Sequence, residues 1–351
     1  MKRNTVKNNT LILLFGLIIG FSSQLNAQEY AIGADLSFVK EAEDKGFQFK
    51  ENGIVKKGLD IFREHGYNWI RLRLFHTPTR LPNGLAYTIA MAKEAKEKGY
   101  KFLLNYHYSD TWADPQKQYL PKAWDSLPQK DLEQKLYEYT KETMIAFKDA
   151  GVFPDMVQIG NEISNGMCWP NGKLPENWDN LAGLLQAGIK GVMASCGNRK
   201  PPKIMIHIDK GGDKNFTKYW FDKLHTYNIK YDVIGQSYYP WWHGNLLNLR
   251  ECLNFTALEY KKDIILVETA YNYDVAEYKE KKPPFPETEK GQKEFLEHVN
   301  DIILQIPNNL GKGIFWWEPA APFKSFTRRT FFSNDGEVKS VIEVFDKYLR
   351  Y

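Results

Sequence analysis

The sequence predicts an α/β fold of the TIM-barrel class, a single closed (β/α)8 barrel, and three observations carry that expectation. Short, strand-like apolar runs recur eight times along the chain, each turning polar at its C-terminal end. Longer stretches that mix apolar and charged residues at helical spacing separate them. The 351 residues suffice for one such barrel, which takes about 250 residues and more with insertions, and no low-complexity linker or compositional break divides them. Alternating β and α elements imply a parallel sheet covered by helices. Strands buried on both faces read as near-continuous apolar runs.

Before the barrel, residues 1–27 carry Lys2, Arg3 and Lys7, then the apolar run from Leu11 to Phe21, then Leu25-Asn26-Ala27 with a small final residue. This is the pattern of a cleavable secretory signal, and its apolar run is about half the ~20 residues a membrane-spanning helix needs. The expected mature chain, 28–351, is one exported barrel domain, periplasmic or extracellular, with no membrane partner. The leader contains three basic residues and no acidic one, so its removal brings the formal charge of +4 close to neutrality. Nothing in that balance suits a nucleic acid. Cys168, Cys196 and Cys252 are too few for a disulfide framework and odd in number, so they read as packed thiols in a monomer. The 15% aromatic content, with ten Trp, suits both a large core and an open cleft that stacks sugars.

The expected strands, in order, are Ala31–Phe38, Trp69–Phe75, Lys101–Tyr108, Met156–Ile163, Ile204–Asp209, Val233–Tyr239, Ile264–Thr269 and Gly313–Glu318. The expected helices are Gly84–Lys98, Lys130–Ala150, Asn180–Ser195, Phe216–His225, Leu247–Lys261 and Glu289–Pro307. Lys281–Pro286 falls in the loop after the seventh strand, and Trp178 and Trp220 fall within or beside helices, where packing is their default role.

Barrels of this class carry their functional groups at the C-terminal strand ends. Read in order, those ends offer Asp35; Arg71; Asn105, His107, Asp110 and Trp112; Gln158, Asn161 and Glu162; His207 and Asp209; Tyr238, Tyr239, Trp241, Trp242 and His243; Glu268; and Trp317 with Glu318. Hydrolysis of a glycosidic bond needs a carboxylic acid to protonate the leaving oxygen and a carboxylate across the anomeric carbon. Glu162 and Glu268, three strands apart in an eight-strand ring, suit that pair. Glu268 follows the apolar run Ile264-Ile265-Leu266-Val267 directly, and a charge buried there needs a partner or a purpose.

Asn161-Glu162 and Glu268 at those two places resemble the clan of barrel glycosidases with catalytic glutamates on strands four and seven. The words His107-Tyr108-Ser109-Asp110-Thr111-Trp112-Ala113-Asp114-Pro115, Gln158-Ile159-Gly160-Asn161-Glu162, Ser237-Tyr238-Tyr239-Pro240 and Trp317-Glu318-Pro319 are similar to the signatures of arabinogalactan endo-β-1,4-galactanases. The likeness runs in order through the whole mature chain.

That resemblance implies retaining endo-hydrolysis of β-1,4-galactan, with Glu162 as acid/base, Glu268 as nucleophile and Asn161 on the sugar 2-hydroxyl. It implies Trp317 as the floor beneath the reacting sugar. Arg71 is the candidate for holding Glu268 charged, and Asp35, His107, Asp110, Trp112, His207, Tyr238, Tyr239, Trp241 and Trp242 are the remaining expected substrate contacts. Glu318 reads as a substrate contact or a structural anchor, the anchor being favoured because buried charges are usually paired. Bacterial members of the family often bind calcium, but Tyr271-Asn272-Tyr273-Asp274 and Ala320-Ala321-Pro322-Phe323-Lys324 lack a dense set of oxygen ligands, and His107, His207 and His243 lack metal-motif spacing. No metal or other cofactor is expected. Other readings keep the barrel and change the sugar, to mannan, xylan or cellulose, or make it a glycan-binding barrel without catalysis. An esterase has no Gly-x-Ser-x-Gly elbow to support it.

Overall fold

A computed structural model describes residues 30–274, 278, 280–321 and 327–349. The leader expected over 1–27 lies outside the described residues, as do Pro322, Phe323 and Lys324 of the loop after the eighth strand. Eight parallel strands form a closed barrel: β1 Ala31–Asp35, β2 Trp69–Leu74, β3 Lys101–Tyr106, β4 Met156–Ile159, β5 Lys203–Ile208, β6 Val233–Tyr238, β7 Asp263–Thr269 and β8 Gly311–Trp317. Strand β8 pairs back onto β1, from Gly313 opposite Ala31 to Trp317 opposite Asp35, and this closure removes the unpaired sheet edge.

The helices are α1 Val39–Asp44, α2 Gly58–Glu64, α3 Leu85–Glu97, α4 Gln129–Asp149, α5 Trp178–Ser195, α6 Lys214–His225, α7 Leu246–Tyr260 and α8 Glu289–Leu304. Among the described residues none is long and apolar enough to cross a membrane. Local chemistry sets several starts. The Asp213 side chain accepts from Phe216 N–H, Thr288 accepts from Gly291 N–H, and Asn245 and Asn248 form a reciprocal cap on α7; each such cap contributes about 1 kcal/mol.

Two features were not expected from the sequence. The first unit contains two short helices around an antiparallel hairpin, Phe49–Glu51 with Ile54–Lys56, whose strands are too short for an alternating pattern to emerge. Strand β4 stops at Ile159, not at Ile163, because Gly160 (φ +78°) and Glu162 (φ +48°) turn into the left-handed region. Likewise β8 ends before Glu318, whose φ is +52°.

Period-two alternation assigns each strand residue to one of two separate cores. Ala31, Trp69, Leu103, Met156, Met205, Val233, Ile265, Val267 and Phe315 fill the barrel interior. Their neighbours, such as Ile70, Leu104, Val157, Ile206, Ile234 and Ile314, pack outward beneath the helices. Trp178 and Trp220 belong to that outer core, their rings 5.6 Å apart. Above the interior floor the inward side chains become polar: Arg71 and Arg73 on β2, Asn105 on β3, Gln158 on β4, His207 on β5 and Ser237 on β6, all essentially buried.

Gly33 makes room for this filling. A Cβ there would lie 2.3 Å from the ring of Phe315 across the β1–β8 pair. Gly33→Ala is expected to destabilise the protein by about 1–3 kcal/mol through overpacking, read as a lowered urea midpoint at unchanged m-value. An unchanged midpoint would mean that the floor shifts freely.

Candidate active site

At the C-terminal end of the barrel lies a cleft of about 330 Å³. Of the residues singled out from the sequence, Arg71, His107, Trp112, Asn161, Glu162, Tyr239, Trp242, Glu268 and Trp317 line it. Arg73, Asp114, Lys117 and Arg329 line it as well, and sequence pattern had given them no role in it. Arg73 was legible, since it shares the inward face of β2 with Trp69 and Arg71. Arg329 was not, because it reaches the cleft from a 3-10 turn at Thr327–Arg329 beyond the last strand, where no periodicity applies.

Five expected contacts lie elsewhere. Tyr238 occupies an outward position of β6; its ring stacks on Phe295 of α8 at 6.3 Å and its hydroxyl donates to Gly244 C=O at 2.9 Å. Trp241 is buried against Tyr271 at 5.5 Å and supports the exposed Trp242 edge-on at 5.8 Å. Asp110 clamps two loops, accepting from Thr77 N–H and Lys122 N–H at 2.8 Å each. Asp35 and His207 sit inside the barrel beneath the cleft, where they touch the groups that line it.

Arg71 is the centre of that lower layer. Its Nη1 donates to Asp35 Oδ2 at 3.2 Å and its Nη2 to Asn161 Oδ1 at 2.7 Å, and Nη2 lies 3.6 Å from Glu268 Oε2. Arg73 shares Asp35 at 3.4 Å and pairs with Glu318, which makes Glu318 part of a buried ion pair. The Arg73 guanidinium sits in the corner made by the edge-on rings of Phe38 and Trp112, 4.5 and 4.4 Å from their centroids. Trp112 in turn meets Trp317 edge-on at 6.1 Å, so the charge beneath fixes the aromatic wall above.

Both carboxylates are aimed by irregular backbone. Glu162 holds the left-handed conformation (φ +48°, ψ +51°), which costs a non-glycine residue about 1–2 kcal/mol. Gln118 fastens the turn by donating to Asn161 C=O at 2.7 Å. On β7 the register slips between Leu266, opposite Gln236, and Glu268, opposite Ser237. This bulge leaves Val267 in the interior floor and turns Glu268 inward also, as bulges do beside functional sites.

Burial raises the proton affinity of both groups, but their surroundings differ. At Glu162 burial is reinforced by the like charges of Glu268 and Asp209, and only the Ser237 hydroxyl, donating to Oε1 at 2.6 Å, pulls the other way. At Glu268 burial is opposed by Arg71, Arg73 and a hydrogen bond from Tyr239, with the Asp35 carboxylate as the one neighbouring charge that adds to it. Glu162 is therefore the group that keeps its proton and Glu268 the one that gives it up first, a division suited to acid and nucleophile. One oxygen of each carboxylate and a ring nitrogen of His207 lie within 4.8 Å of one another. Among the described residues this is the one His, Cys, Asp and Glu cluster with metal-holding geometry; a cation bound there would neutralise both carboxylates. The three cysteines are buried free thiols away from the cleft.

The family model of glycosyl hydrolase family 53 matches residues 31–348. The arabinogalactan endo-β-1,4-galactanase of Humicola insolens is 34% identical over 331 residues, spanning 90% of this chain and 98% of its own. Among solved structures, a fungal β-1,4-galactanase is 33% identical with a TM-score of 0.85, over 90% of this chain and 99% of the other. The family 53 catalytic domain of Ignisphaera aggregans is 31% identical with a TM-score of 0.84, over 90% and 95%.

Arg71→Met leaves Asp35 and Glu268 short of a counter-charge, and is expected to cost about 3–5 kcal/mol of stability. Without Arg71 the folded-state pKa of Glu268, already raised by burial, climbs further. A carboxyl group raised in the folded state stabilises below its unfolded pKa and loses that contribution as pH rises through the folded value. The deficit, measured by urea unfolding, is thus expected to be smaller near pH ~4 than near pH ~7; a deficit independent of pH would remove Arg71 as the partner of Glu268.

Proposed function

The chain belongs to glycosyl hydrolase family 53, and on that premise we propose that it cleaves internal β-1,4-galactosidic bonds of type I arabinogalactan and pectic galactan with retention of configuration. The observation that carries the mechanism is the short approach of the two carboxylates, one oxygen of each within 4.8 Å. Retaining enzymes hold the pair about 5–5.5 Å apart, whereas inverting enzymes need about 6.5–9.5 Å to admit a water.

In the first step Glu268 attacks the anomeric carbon as Glu162 gives its proton to the departing glycosidic oxygen, leaving a galactosyl ester on Glu268. In the second, Glu162 takes a proton from water as that water attacks the same carbon and releases Glu268. Trp317 presents a ring to the apolar face of galactose. Asn161 accepts from Arg71 through Oδ1 and donates one amide hydrogen to Ala113 C=O at 2.9 Å, which leaves its second N–H for the 2-hydroxyl of the sugar, where hydrogen bonds strengthen in the transition state. His107 accepts Ala113 N–H on Nδ1 at 3.0 Å and has the Asn105 amide nitrogen 3.2 Å from its Nε2, which fixes the ring in the wall of the cleft. Trp112, Tyr239 and Trp242 supply further stacking and hydroxyl contacts.

The working form is a monomeric domain over 28–351, exported by the leader at 1–27, with the polysaccharide as its partner. Two carboxylates and a water complete the reaction, so no metal or organic cofactor takes part.

Release of reducing ends from debranched β-1,4-galactan, with β-1,4-mannan and xylan as controls, tests this. The wild type is expected to act on galactan alone. Glu268→Ala should lose about 10⁴-fold or more in kcat. Glu162→Ala should lose about 10²–10⁴-fold on galactan and far less on an aryl β-galactoside whose leaving group needs no protonation. Activity confined to mannan or xylan would overturn the substrate, and near-normal rates in both variants would overturn the roles. Dialysis against EDTA is expected to leave the rate unchanged; a loss restored by calcium would reverse the metal-free reading.

A further inference from the structure

A chain of hydrogen bonds with a fixed direction runs from Arg71 to Glu162 through three fully buried side chains, Gln158, His207 and Ser237. Its direction follows from the one member that only donates. The guanidinium of Arg71 has no acceptor, so the Gln158 atom 3.3 Å from its Nη2 is the amide oxygen. The Gln158 Nε2, whose hydrogens are shared with Asn105 Oδ1 at 2.7 Å, Gly160 C=O at 2.9 Å and Asn161 Oδ1 at 3.0 Å, is then the donor 3.0 Å from His207 Nδ1, and the backbone N–H of Glu162 points at that same ring nitrogen from 3.4 Å. With donors on Nδ1, the neutral imidazole carries its hydrogen on Nε2. That hydrogen is donated to Ser237 Oγ at 2.8 Å, which turns the hydroxyl hydrogen of Ser237 onto Glu162 Oε1 at 2.6 Å.

We propose that His207 and Ser237 are positioning residues that hold Glu162 Oε1 as a hydrogen-bond acceptor, confine the catalytic proton to Oε2, and set how readily that proton leaves. The proposal rests on Glu162 being the acid/base. It assigns two oxygens of one carboxyl group different duties: Oε1 receives the chain, and Oε2 exchanges the proton with the glycosidic oxygen and then with water. Because Arg71 also lies 3.6 Å from Glu268, the cation that favours the charged nucleophile is the same one that orients the acid.

The surroundings agree with a neutral relay. Burial, with Arg71 and His107 adding to it, holds His207 well below its ordinary pKa, so the ring stays uncharged through the working range. Other groups that act on Glu162 are Glu268 from β7, Asp209 after β5, Asp114 from the loop after β3 and Tyr239 after β6. The first three all favour its protonated form, and the Ser237 hydroxyl is the side chain that favours the ionised one.

Removing that hydroxyl therefore moves the titration in a defined direction. In Ser237→Ala the alkaline limb of the kcat/KM profile on galactan is expected to shift upward by about one to two pH units, with KM within about twofold of wild type and the limb restored in Ser237→Thr. A merely structural serine would lower the melting temperature without moving the limb, so an unmoved or lowered limb overturns the proposal. Nitrogen-15 NMR of His207 in the wild type supplies a second reading that needs no variant: a neutral ring protonated on Nε2 between about pH 5 and 8 is expected, and a ring protonated on Nδ1, or charged, overturns it. Failure of the functional reading would show differently, as a wild type that releases no reducing ends from galactan, and the tautomer would still report on the chain.

Discussion

A buried guanidinium at the barrel axis governs what the rest of the cleft can be. Arg71 is 1% exposed and engages Asp35, Gln158, Asn161 and Glu268 from three other strands or their ends. Taking a cation out of water costs several kcal/mol, offset only by well-placed acceptors, and both terminal nitrogens of Arg71 have them while its buried Nε does not. The side chains around it are therefore constrained as a set. Asp35 is held by Arg71, Arg73 and Ser37, and Gln158 is oriented by Arg71 before it can orient anything else.

That constraint explains how two similar carboxylic acids acquire different duties inside one cleft. Both are nearly sequestered from water, which favours the protonated form of each. Two cations and one anion act on Glu268, whereas the charges acting on Glu162 are all anions, so the same burial that raises both also magnifies the difference between them. Local backbone does the aiming: a left-handed residue after β4 and a bulge in β7 turn the two groups toward each other across the barrel. The strain at Glu162 is tolerated because Gln118 and His207 bind its backbone on either side.

The aromatic wall depends on a second buried cation. Arg73, paired with Glu318 and Asp35, lies beneath Trp112, and Trp112 braces Trp317. Across the cleft Arg329 approaches Tyr239, Trp242 and Trp317 at 5.7–5.9 Å. The rings that would stack sugars are thus each held against a guanidinium that also lines the cleft. Trp241 shows the complementary role, giving up access to substrate in order to hold Trp242 in place.

The barrel was legible in the sequence because buried parallel strands leave long apolar runs and each run turns polar where it meets the cleft. Glu162 and Glu268 could be paired for the same reason, since each follows an apolar run where a carboxylate is costly without a task, whereas the roles of Asn161 and Trp317 came with the family resemblance. The sequence alone overreached at Tyr238, Trp241 and Asp110, since belonging to the same short word as a cleft residue does not decide which face a side chain takes. It gave no role to Ser237 or Arg329, and was silent on the hairpin at 49–56 and on the two backbone irregularities that aim the carboxylates. Those were decided by tertiary structure, because a bulge, a left-handed turn and the direction of a hydrogen-bond chain depend on partners distant in sequence, which periodicity does not encode.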